Sequence, residues 1–455
     1  MESKINPLID ALPPLLDRMS FINAINRNPN FGSLNSIESC LSESEKIVSQ
    51  FFVGLPRHYY FYERIVNKMI EGYRVRTPED MIRKLREGHT FNNEETVDLL
   101  TDHVRTAPSV FGTYLIGLGG TGKTAVINNI VRMFPKKIIQ RTLGLVQIPI
   151  VKIHTPYRAS RKDLCKSFFR ELDSLAGTNY HDQFSRLNEP DLADQVKRKT
   201  LCHMVGTIIL DEIQDLKTSK SGPSEMTLAF IKYLTNVVGV PIVFVGSFEA
   251  EEILFGNFQL ASRSQGFKWE RFQKDETWNY FINSLFTHRV TSAEQELDQT
   301  LSDLYYELTQ GVPRLVNLLH VEAQKICLHN KKQKIEHIDL LVATKNLLSS
   351  TETAVEGIKN FNAEILGRFP DLLTITNFNV PKDELDGIGE KDSVANTTAI
   401  IQHDGKDCNT SPKEKKITGT GVMLDLIQNC NNANDTYLVF KENEIIPDIT
   451  EIIEF

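Results

Sequence analysis

The sequence predicts an α/β protein in which helices wrap a parallel sheet, with a helical region before the sheet and a helical lid after it. Two observations carry this prediction. Between Gly112 and about Trp269, strand-like apolar runs alternate with amphipathic stretches, which is the pattern of a parallel sheet with crossover helices. From 276 to about 350, apolar residues recur at helical spacing instead.

The individual elements follow from the same patterns. The predicted strands are the apolar runs at 114–116, 148–153, 207–210 and 241–245. The predicted helices after the first strand are 125–134, 277–286, 293–310, 313–328 and 335–348. Before the sheet, helical spacing is clearest at 62–70, and Pro13 with Pro14 interrupts the apolar start of the chain.

These patterns divide the chain into four predicted regions. A mainly helical region for partner docking covers 1–110, the α/β core covers 111–275, and a helical lid covers 276–375. The stretch 381–418 is polar and poor in aromatic residues, as flexible linkers are. A short apolar piece and an acidic end follow it, so 376–455 is predicted to be a flexible linker with a tail that docks onto a partner.

The bulk composition excludes several classes of protein. The chain has 455 residues and a formal charge of −8 from 51 basic and 59 acidic side chains, which argues against a polycation that coats nucleic acid. No apolar stretch has the length of a membrane span, and no signal-peptide core is present at the start. The six cysteines form no C-x-x-C pair. We therefore expect a cytoplasmic protein with no membrane contact, no structural zinc and no disulfides.

A glycine-rich turn, Gly117-Leu-Gly-Gly-Thr-Gly-Lys-Thr124, fits the phosphate-binding pattern G-x-x-x-x-G-K-[ST] without a mismatch. In that pattern backbone N–H groups surround a polyphosphate, the lysine reaches its terminal phosphates and the last hydroxyl binds Mg²⁺. The predicted strand before it and helix after it argue against a chance match. We therefore predict that 111–275 is a nucleotide-binding core, with an ATP site and Mg²⁺ on Thr124. The predicted nucleotide contacts are Gly117, Gly119, Gly120, Thr121, Gly122, Lys123, Thr124 and Ala125.

A second motif predicts hydrolysis of the bound nucleotide. The apolar strand at 207–210 ends in Asp211 and Glu212, and side chains at the carboxyl end of a parallel strand lie at the ligand crevice. Asp211 is predicted to hold Mg²⁺, and Glu212 to accept a proton from the attacking water. The alternative is a strand that ends in two solvated acids, which the intact phosphate loop disfavours.

Three further polar residues complete the predicted site. Ser247 follows the strand at 241–245 and is predicted to sense the γ-phosphate, although a serine at a strand end also commonly caps a helix. Arg263 lies on a polar segment from which it can reach the nucleotide of a neighbouring subunit. Arg314 begins a lid helix and can reach the nucleotide of its own chain. For both arginines a surface ion pair is the alternative.

This combination of motifs resembles an AAA+ ATPase, and within that superfamily it is similar to the TnsC family of Tn7-like transposons, which is related to TniB and MuB. The residues that carry the narrower resemblance are Asn6-Pro-Leu-Ile-Asp-Ala-Leu-Pro-Pro-Leu15, Glu71-Gly-Tyr-Arg74, Leu210-Asp-Glu-Ile-Gln-Asp-Leu216, Asn236-Val-Val-Gly-Val-Pro-Ile242, Ser262-Arg-Ser-Gln-Gly266 and Tyr306-Glu-Leu-Thr-Gln-Gly-Val312. The resemblance implies a three-layer α/β core with a helical lid. It also implies ATP-driven assembly into a homo-oligomeric ring or filament on double-stranded DNA, in the cytoplasm of a bacterium. That assembly would link a target-selector protein of the TniQ or TnsD type to transposase and endonuclease subunits.

A basic segment at 152–162 offers a surface for the DNA backbone in such an assembly. The predicted DNA contacts are Arg158, Ser160, Arg161 and Lys162, together with Lys217 and Lys220 after the Asp-Glu strand. No base-reading element is evident, so we expect phosphate contacts and little sequence preference. Two other functions stay open. A replication initiator or helicase loader shares the nucleotide motifs, but it usually carries a DNA-reading domain after the lid, and a non-hydrolysing scaffold does not need Glu212 or Arg263.

Overall fold

The computed structural model describes residues 6–104, 112–157, 160–216, 239–255, 264–347 and 352–360. Four predicted site residues, Arg158, Lys217, Lys220 and Arg263, lie outside these ranges. The predicted tail at 376–455 also lies outside them. All described residues belong to one compact unit.

The region before the sheet is helical, as the sequence predicts. Its helices are α1 Pro7–Asp10, α2 Arg18–Ile25, α3 Ile37–Gln50, α4 Pro56–Arg76, α5 Glu79–Arg86 and α6 Asn93–Val104. Ser36 starts α3 with a capping box, because its hydroxyl accepts the amide of Ser39 while the Ser39 hydroxyl accepts the amide of Ser36. Pro56 starts α4, where the absence of its N–H carries no cost.

The core is a five-stranded sheet in which every neighbouring pair is parallel. In chain order the strands of the core region are β1 Gly112–Gly117, β2 Ile138–Gln140, β3 Leu145–Gln147, β4 Ile150–His154, β5 Thr207–Asp211, β6 Ile242–Gly246 and β7 Ser264–Trp269. The order across the sheet is β4-β5-β6-β1-β7, and β2 pairs with β3 in a separate antiparallel hairpin. The predicted parallel sheet is confirmed, and it has one more strand, β7, than the four that apolar runs predict.

Helices cover both faces of this sheet and give three layers. They are α7 Lys123–Arg132, α8 Arg161–Ala176, α9 Tyr180–Gln183, α10 Glu189–Cys202 and α11 Ala250–Phe255. Successive strand residues point to opposite faces, so Ile208 of β5 packs in one buried cluster with Phe168 of α8. Its neighbour Ile209 packs in a second cluster with Met69 of α4 and Ile127 of α7. The N-terminal helices therefore form part of the layer that covers the sheet.

A helical lid follows the sheet and has its own core. Its helices are α12 Glu276–Phe286, α13 Gln299–Thr309, α14 Pro313–His329 and α15 His337–Leu347, and α16 Glu352–Asn360 comes after them. Trp278 and Leu319 lie in this core together with Ile47 of α3. The prediction that a helix starts at 293 was wrong, because Asp298 caps α13 by accepting the amide of Leu301 and the helix begins only there. Within the described ranges, none of the helices is both long and apolar enough to cross a membrane.

Candidate nucleotide-binding and hydrolysis site

The phosphate-binding turn is an open anion cradle between β1 and α7. Gly120 and Gly122 have φ angles of +78° and +89°, which favour glycine because a Cβ atom is strained there. Gly122 caps α7 without a side-chain hydrogen bond, so the amides of the first helical turn are available to a ligand. A helix N-terminus also carries a partial positive charge. The loop therefore suits a polyphosphate.

Lys123 is folded back across this loop. Its Nζ donates to the carbonyl oxygens of Gly117 and Leu118 at 2.7 and 2.8 Å, and the Thr121 hydroxyl donates to the same Leu118 oxygen at 2.8 Å. A phosphate is a stronger acceptor for the ammonium group than a carbonyl oxygen. A Cβ atom on Gly117 would lie 2.2 Å from the Trp269 carbonyl oxygen, so packing against β7 requires this glycine, and a phosphate contact at Gly117 stays a prediction.

One cavity brings together predicted site residues from four parts of the chain. Glu212, Ser247 and Arg314 line it with the phosphate loop. They meet because β6 lies between β1 and β5, as expected for a sensor strand. Arg314 is anchored through its backbone amide, which donates to the Gly120 carbonyl oxygen at 3.2 Å. The roles of these side chains stay predictions, but their positions are compatible with one ligand.

The Ser247 hydroxyl is a buried polar group that the protein does not satisfy. The residue is 4% exposed, and within the described part of the chain its Oγ has no hydrogen-bond partner. Leaving a buried hydroxyl unpaired costs about 1–3 kcal/mol. An acceptor that arrives in the cavity, such as a phosphate oxygen, would remove that cost. The side chain therefore has the properties expected of a γ-phosphate sensor.

Asp211 lies behind the cavity wall, where Lys152 neutralises it. Asp211 is 1% exposed, and its Oδ2 forms an ion pair with Lys152 Nζ at 3.0 Å. Its Oδ1 accepts the Glu212 amide at 3.2 Å, and Lys152 also donates to Asn128 Oδ1 of α7 at 2.7 Å. Lys152 opens the basic segment that was predicted to follow a DNA backbone. The side chain of Lys152 extends from β4 toward the end of β5, and DNA contact by the other residues of this segment stays a prediction.

The residues predicted to hold Mg²⁺ fit the ion unequally. Thr124 is exposed and lines the cavity beside Lys123, so its hydroxyl is available to a cation bound between the phosphates. Asp211 does not line that cavity and is already paired. The donor set therefore fits an ion held by Thr124 and phosphate oxygens, and a role of Asp211 in holding the ion stays a prediction. Among the described residues no group of three or more His, Cys, Asp or Glu side chains forms a metal site by itself.

Glu212 has an unusual backbone conformation for a non-glycine residue. Its φ is +57°, which costs about 1–2 kcal/mol for a residue with a Cβ atom. The conformation turns the chain from β5 into a short 3₁₀ turn at Ile213–Leu216, while Asp211 accepts the Glu212 amide. Such strain concentrates at functional sites, where the surrounding structure maintains it.

A second cavity, which sequence reasoning missed, adjoins the phosphate loop. It shares Gly120, Gly122, Ala125 and Arg314 with the first and extends between the segment joining α3 to α4 and the start of α14. Further lining residues are Phe51, Val53, Leu55, Arg57, Phe272 and Pro313. The apolar run Phe51-Phe-Val-Gly-Leu-Pro56 between two helices was the available signal. An apolar slot next to a phosphate cradle suits the base of a nucleotide.

Arg57 forms part of the wall of this second cavity. Its guanidinium lies 5.0 Å from the Trp269 ring centre and 4.7 Å from that of Phe272. Burial lowers the pKa of Arg57 to about 10, and Asp275 partly opposes that change. The residue therefore stays charged at neutral pH and ties α4 to the end of β7.

Two of the three predicted DNA contacts that the structure describes have partners within the chain. The Ser160 hydroxyl caps α8, donating to Asp163 Oδ2 at 2.6 Å and accepting the Asp163 amide at 3.2 Å. Arg161 forms an ion pair with Glu189 at 2.8 Å, and Lys162 is partly exposed. Both acids would repel a phosphate from the start of α8. DNA contact by this segment stays a prediction, to which Lys162 is the strongest contributor among these three.

The core also matches a known family. Residues 112–254 match the family model described as an AAA domain. No curated protein matches the chain. Together the parallel sheet, the phosphate loop and the cavity define a P-loop ATPase domain. This domain occupies the central part of the chain, and its similarity to AAA domains extends over residues 112–254.

Solved structures that are similar to the chain include three proteins from different organisms. A Drosophila ORC bound to DNA is 11% identical, with 58% of this chain and 61% of that chain covered and a TM-score of 0.36. A Walker-type ATPase of Pyrococcus abyssi is 18% identical, covering 61% and 78%, with a TM-score of 0.35. The Thermotoga maritima RuvB Holliday junction branch migration motor is 13% identical, covering 60% and 72%, with a TM-score of 0.33. The chain thus spans less than two thirds of the ORC chain, and the activity of none of the three is carried over to it.

Proposed function

We propose that this protein hydrolyses ATP to ADP and phosphate and that its nucleotide state controls assembly on double-stranded DNA. The observation that carries the ATPase part is the single cavity lined by Lys123, Glu212, Ser247 and Arg314. An acid, a cation, a hydroxyl and the loop amides around one polyphosphate are the groups that phosphoryl transfer requires. The adjoining apolar slot supports a nucleoside triphosphate over a simple phosphate.

The proposed reaction is an attack of water on the γ-phosphorus. The oxygen of the water forms a bond to phosphorus while Glu212 accepts a proton from that water. The bond from phosphorus to the β–γ bridging oxygen breaks, and ADP leaves. Lys123 and Arg314 neutralise the charge that develops on the phosphate oxygens, and Ser247 orients the γ-phosphate. Mg²⁺, held by Thr124 and the phosphates, supplies further charge neutralisation when it is bound. Arg263 of a neighbouring subunit would complete the site, which would make hydrolysis depend on assembly.

The DNA and transposition parts of the proposal are supported by the resemblance to the TnsC family. In this role ATP drives a homo-oligomeric ring or filament around target DNA. The oligomer links a selector protein of the TniQ or TnsD type to the transposase and endonuclease subunits, and hydrolysis serves disassembly. Lys162, Arg158, Lys217 and Lys220 would contact the phosphate backbone without reading bases. In such an assembly the selector protein, and not the ATPase, determines which DNA site is the target.

A pair of variants tests the nucleotide switch. Lys123→Ala should abolish ATP-dependent binding to duplex DNA, because the ammonium group that neutralises the terminal phosphates is lost. Glu212→Gln keeps the binding groups but removes the base, so it should reduce steady-state ATPase at least about a hundredfold and leave ATP-loaded oligomers on DNA. Filter binding with duplex DNA and electron microscopy with a non-hydrolysable ATP analogue report both effects.

The same variants separate the proposal from its alternatives. A non-hydrolysing scaffold would show equal, negligible phosphate release from the wild-type protein and from Glu212→Gln. The strained backbone at Glu212 and the unpaired hydroxyl of Ser247 favour the hydrolytic reading, since a scaffold needs neither. ATP-dependent DNA binding that is unchanged in Lys123→Ala would contradict the switch itself.

A further inference from the structure

Gln214 joins the proposed base to the sensor strand through a single side-chain amide. Its Nε2 donates to Glu212 Oε2 at 2.5 Å. Its Oε1 accepts the backbone amide of Ser247 at 3.0 Å. The carboxylate can only accept and the backbone N–H can only donate, so these two partners fix the orientation of the amide. Gln214 also lines the cavity that contains the phosphate loop.

The end of β6 is shaped to admit this amide. A Cβ atom on Gly246 would lie 2.7 Å from Gln214 Oε1 and 2.9 Å from the Ala250 Cβ atom. Gln214 is held from its other side by the 3₁₀ turn that follows the strained Glu212. Three features therefore position the Gln214 side chain between Glu212 and Ser247. They are the missing Cβ atom of Gly246, the 3₁₀ turn at Ile213–Leu216 and the positive φ of Glu212.

We infer that Gln214 is a positioning residue that restrains Glu212 until a nucleotide engages the sensor strand. This inference rests on the proposed role of Glu212 as the base. While Gln214 donates to Glu212 Oε2, that oxygen is turned toward β6 and one of its acceptor sites is occupied. A water molecule that needs the same oxygen must compete with the amide. The side-chain oxygen of Gln214 accepts the backbone N–H of Ser247. When Ser247 shifts toward a γ-phosphate, Gln214 therefore moves with it. Its hydrogen bond to Glu212 breaks, and the carboxylate is free to bind the water.

Gln214→Met tests this restraint, because methionine has similar length and volume and forms neither hydrogen bond. Steady-state ATPase is measured without DNA for the wild-type protein, Gln214→Met, Gln214→Ala, Glu212→Gln and the double variant Gln214→Met with Glu212→Gln. A hydrogen bond to a charged group is strong enough that its removal should raise basal kcat about tenfold. The KM for ATP should change less than about twofold, since Gln214 restrains the base and does not bind ATP. The double variant should be as slow as Glu212→Gln.

The outcomes separate this inference from the proposed function. If Glu212→Gln hydrolyses ATP as fast as the wild-type protein, the assignment of the base is wrong whatever Gln214 does. A second outcome is that Glu212→Gln is inactive while both Gln214 variants have a kcat equal to or below that of the wild-type protein. In that case Gln214 does not restrain Glu212, and the assignment of Glu212 as the base stands. Affinity for a fluorescent ATP analogue and the thermal unfolding midpoint identify a folding defect. Such a defect lowers activity, so a merely structural role for Gln214 cannot produce the expected rise.

Discussion

Ser247→Ala should have opposite effects on stability and on catalysis. The Ser247 hydroxyl is buried, with 4% of the residue exposed, and within the described structure no protein group is its hydrogen-bond partner. An unsatisfied buried hydroxyl costs about 1–3 kcal/mol, and alanine removes only that oxygen. Allowing for the contacts that the oxygen makes, the free energy of unfolding should rise by about 1 kcal/mol. At the same time kcat should fall about ten- to a hundredfold, because a donor to the γ-phosphate is lost.

Ser302→Ala is the matched control for this measurement. Ser302 is also 4% exposed, but its Oγ accepts the indole N–H of the buried Trp278 at 3.2 Å. Removing that acceptor should lower the free energy of unfolding by about 1–3 kcal/mol without a direct effect on the nucleotide site. Urea unfolding followed by fluorescence gives both stability changes, and a phosphate-release assay gives kcat.

The sign of the stability change decides the outcome. If Ser247→Ala is destabilised as strongly as Ser302→Ala, the hydroxyl has a partner in the free protein and the reasoning from its unpaired state fails. If the variant is stabilised but hydrolyses ATP at the wild-type rate, the hydroxyl is not a sensor. A gain in stability together with a loss of kcat is the signature of a residue kept for function.

Two further predictions concern the lid and the rear of the site. Burial lowers the pKa of His320 to about 4, and the neutral ring is held by the Tyr305 hydroxyl at 2.9 Å and the His288 carbonyl oxygen at 3.1 Å. The unfolded chain takes up a proton near pH 6.5, so stability is full above that pH and should fall by about 3 kcal/mol as the pH drops toward 4. Urea unfolding at several pH values gives the free energy of unfolding as a function of pH. This free energy should change less steeply with pH for His320→Gln than for the wild-type protein. An identical dependence on pH would contradict the assignment to His320. Lys152→Met should cost about 3 kcal/mol of unfolding free energy, because it leaves the buried carboxylate of Asp211 without its counter-ion, and wild-type urea stability would show that water replaces the lysine.

The parts of the fold that the sequence predicted are those encoded by neighbouring residues. The phosphate loop is one contiguous motif, and each of the buried strands β5 and β6 consists of buried residues only, so an apolar run was a sufficient signal. The edge strand β7 pairs with β1 alone and alternates polar with apolar residues, as in Gly266-Phe-Lys-Trp269. A search for apolar runs therefore passed over it.

The missed parts of the site depend on residues that are distant in sequence. Lys152 belongs to a basic segment, and only the register of β4 with β5 shows that it reaches Asp211. The slot beside the phosphate loop combines residues from the α3–α4 segment with Phe272 and Pro313. Periodicity describes one element at a time, so it cannot show which elements become neighbours.

That slot has a consequence for what a nucleotide does to the molecule as a whole. Its walls come from the N-terminal helices, the phosphate loop and the lid, three stretches separated by tens to hundreds of residues along the chain. A ligand that contacts all three stretches holds them together non-covalently. Because it binds only the folded state, its binding adds to the free energy of unfolding. The segment matching the AAA domain begins only at residue 112, so it contains the phosphate cradle without the wall supplied by Phe51 and Leu55. Cellular ATP would then strengthen an attachment of the first hundred residues that their buried packing on the sheet already provides.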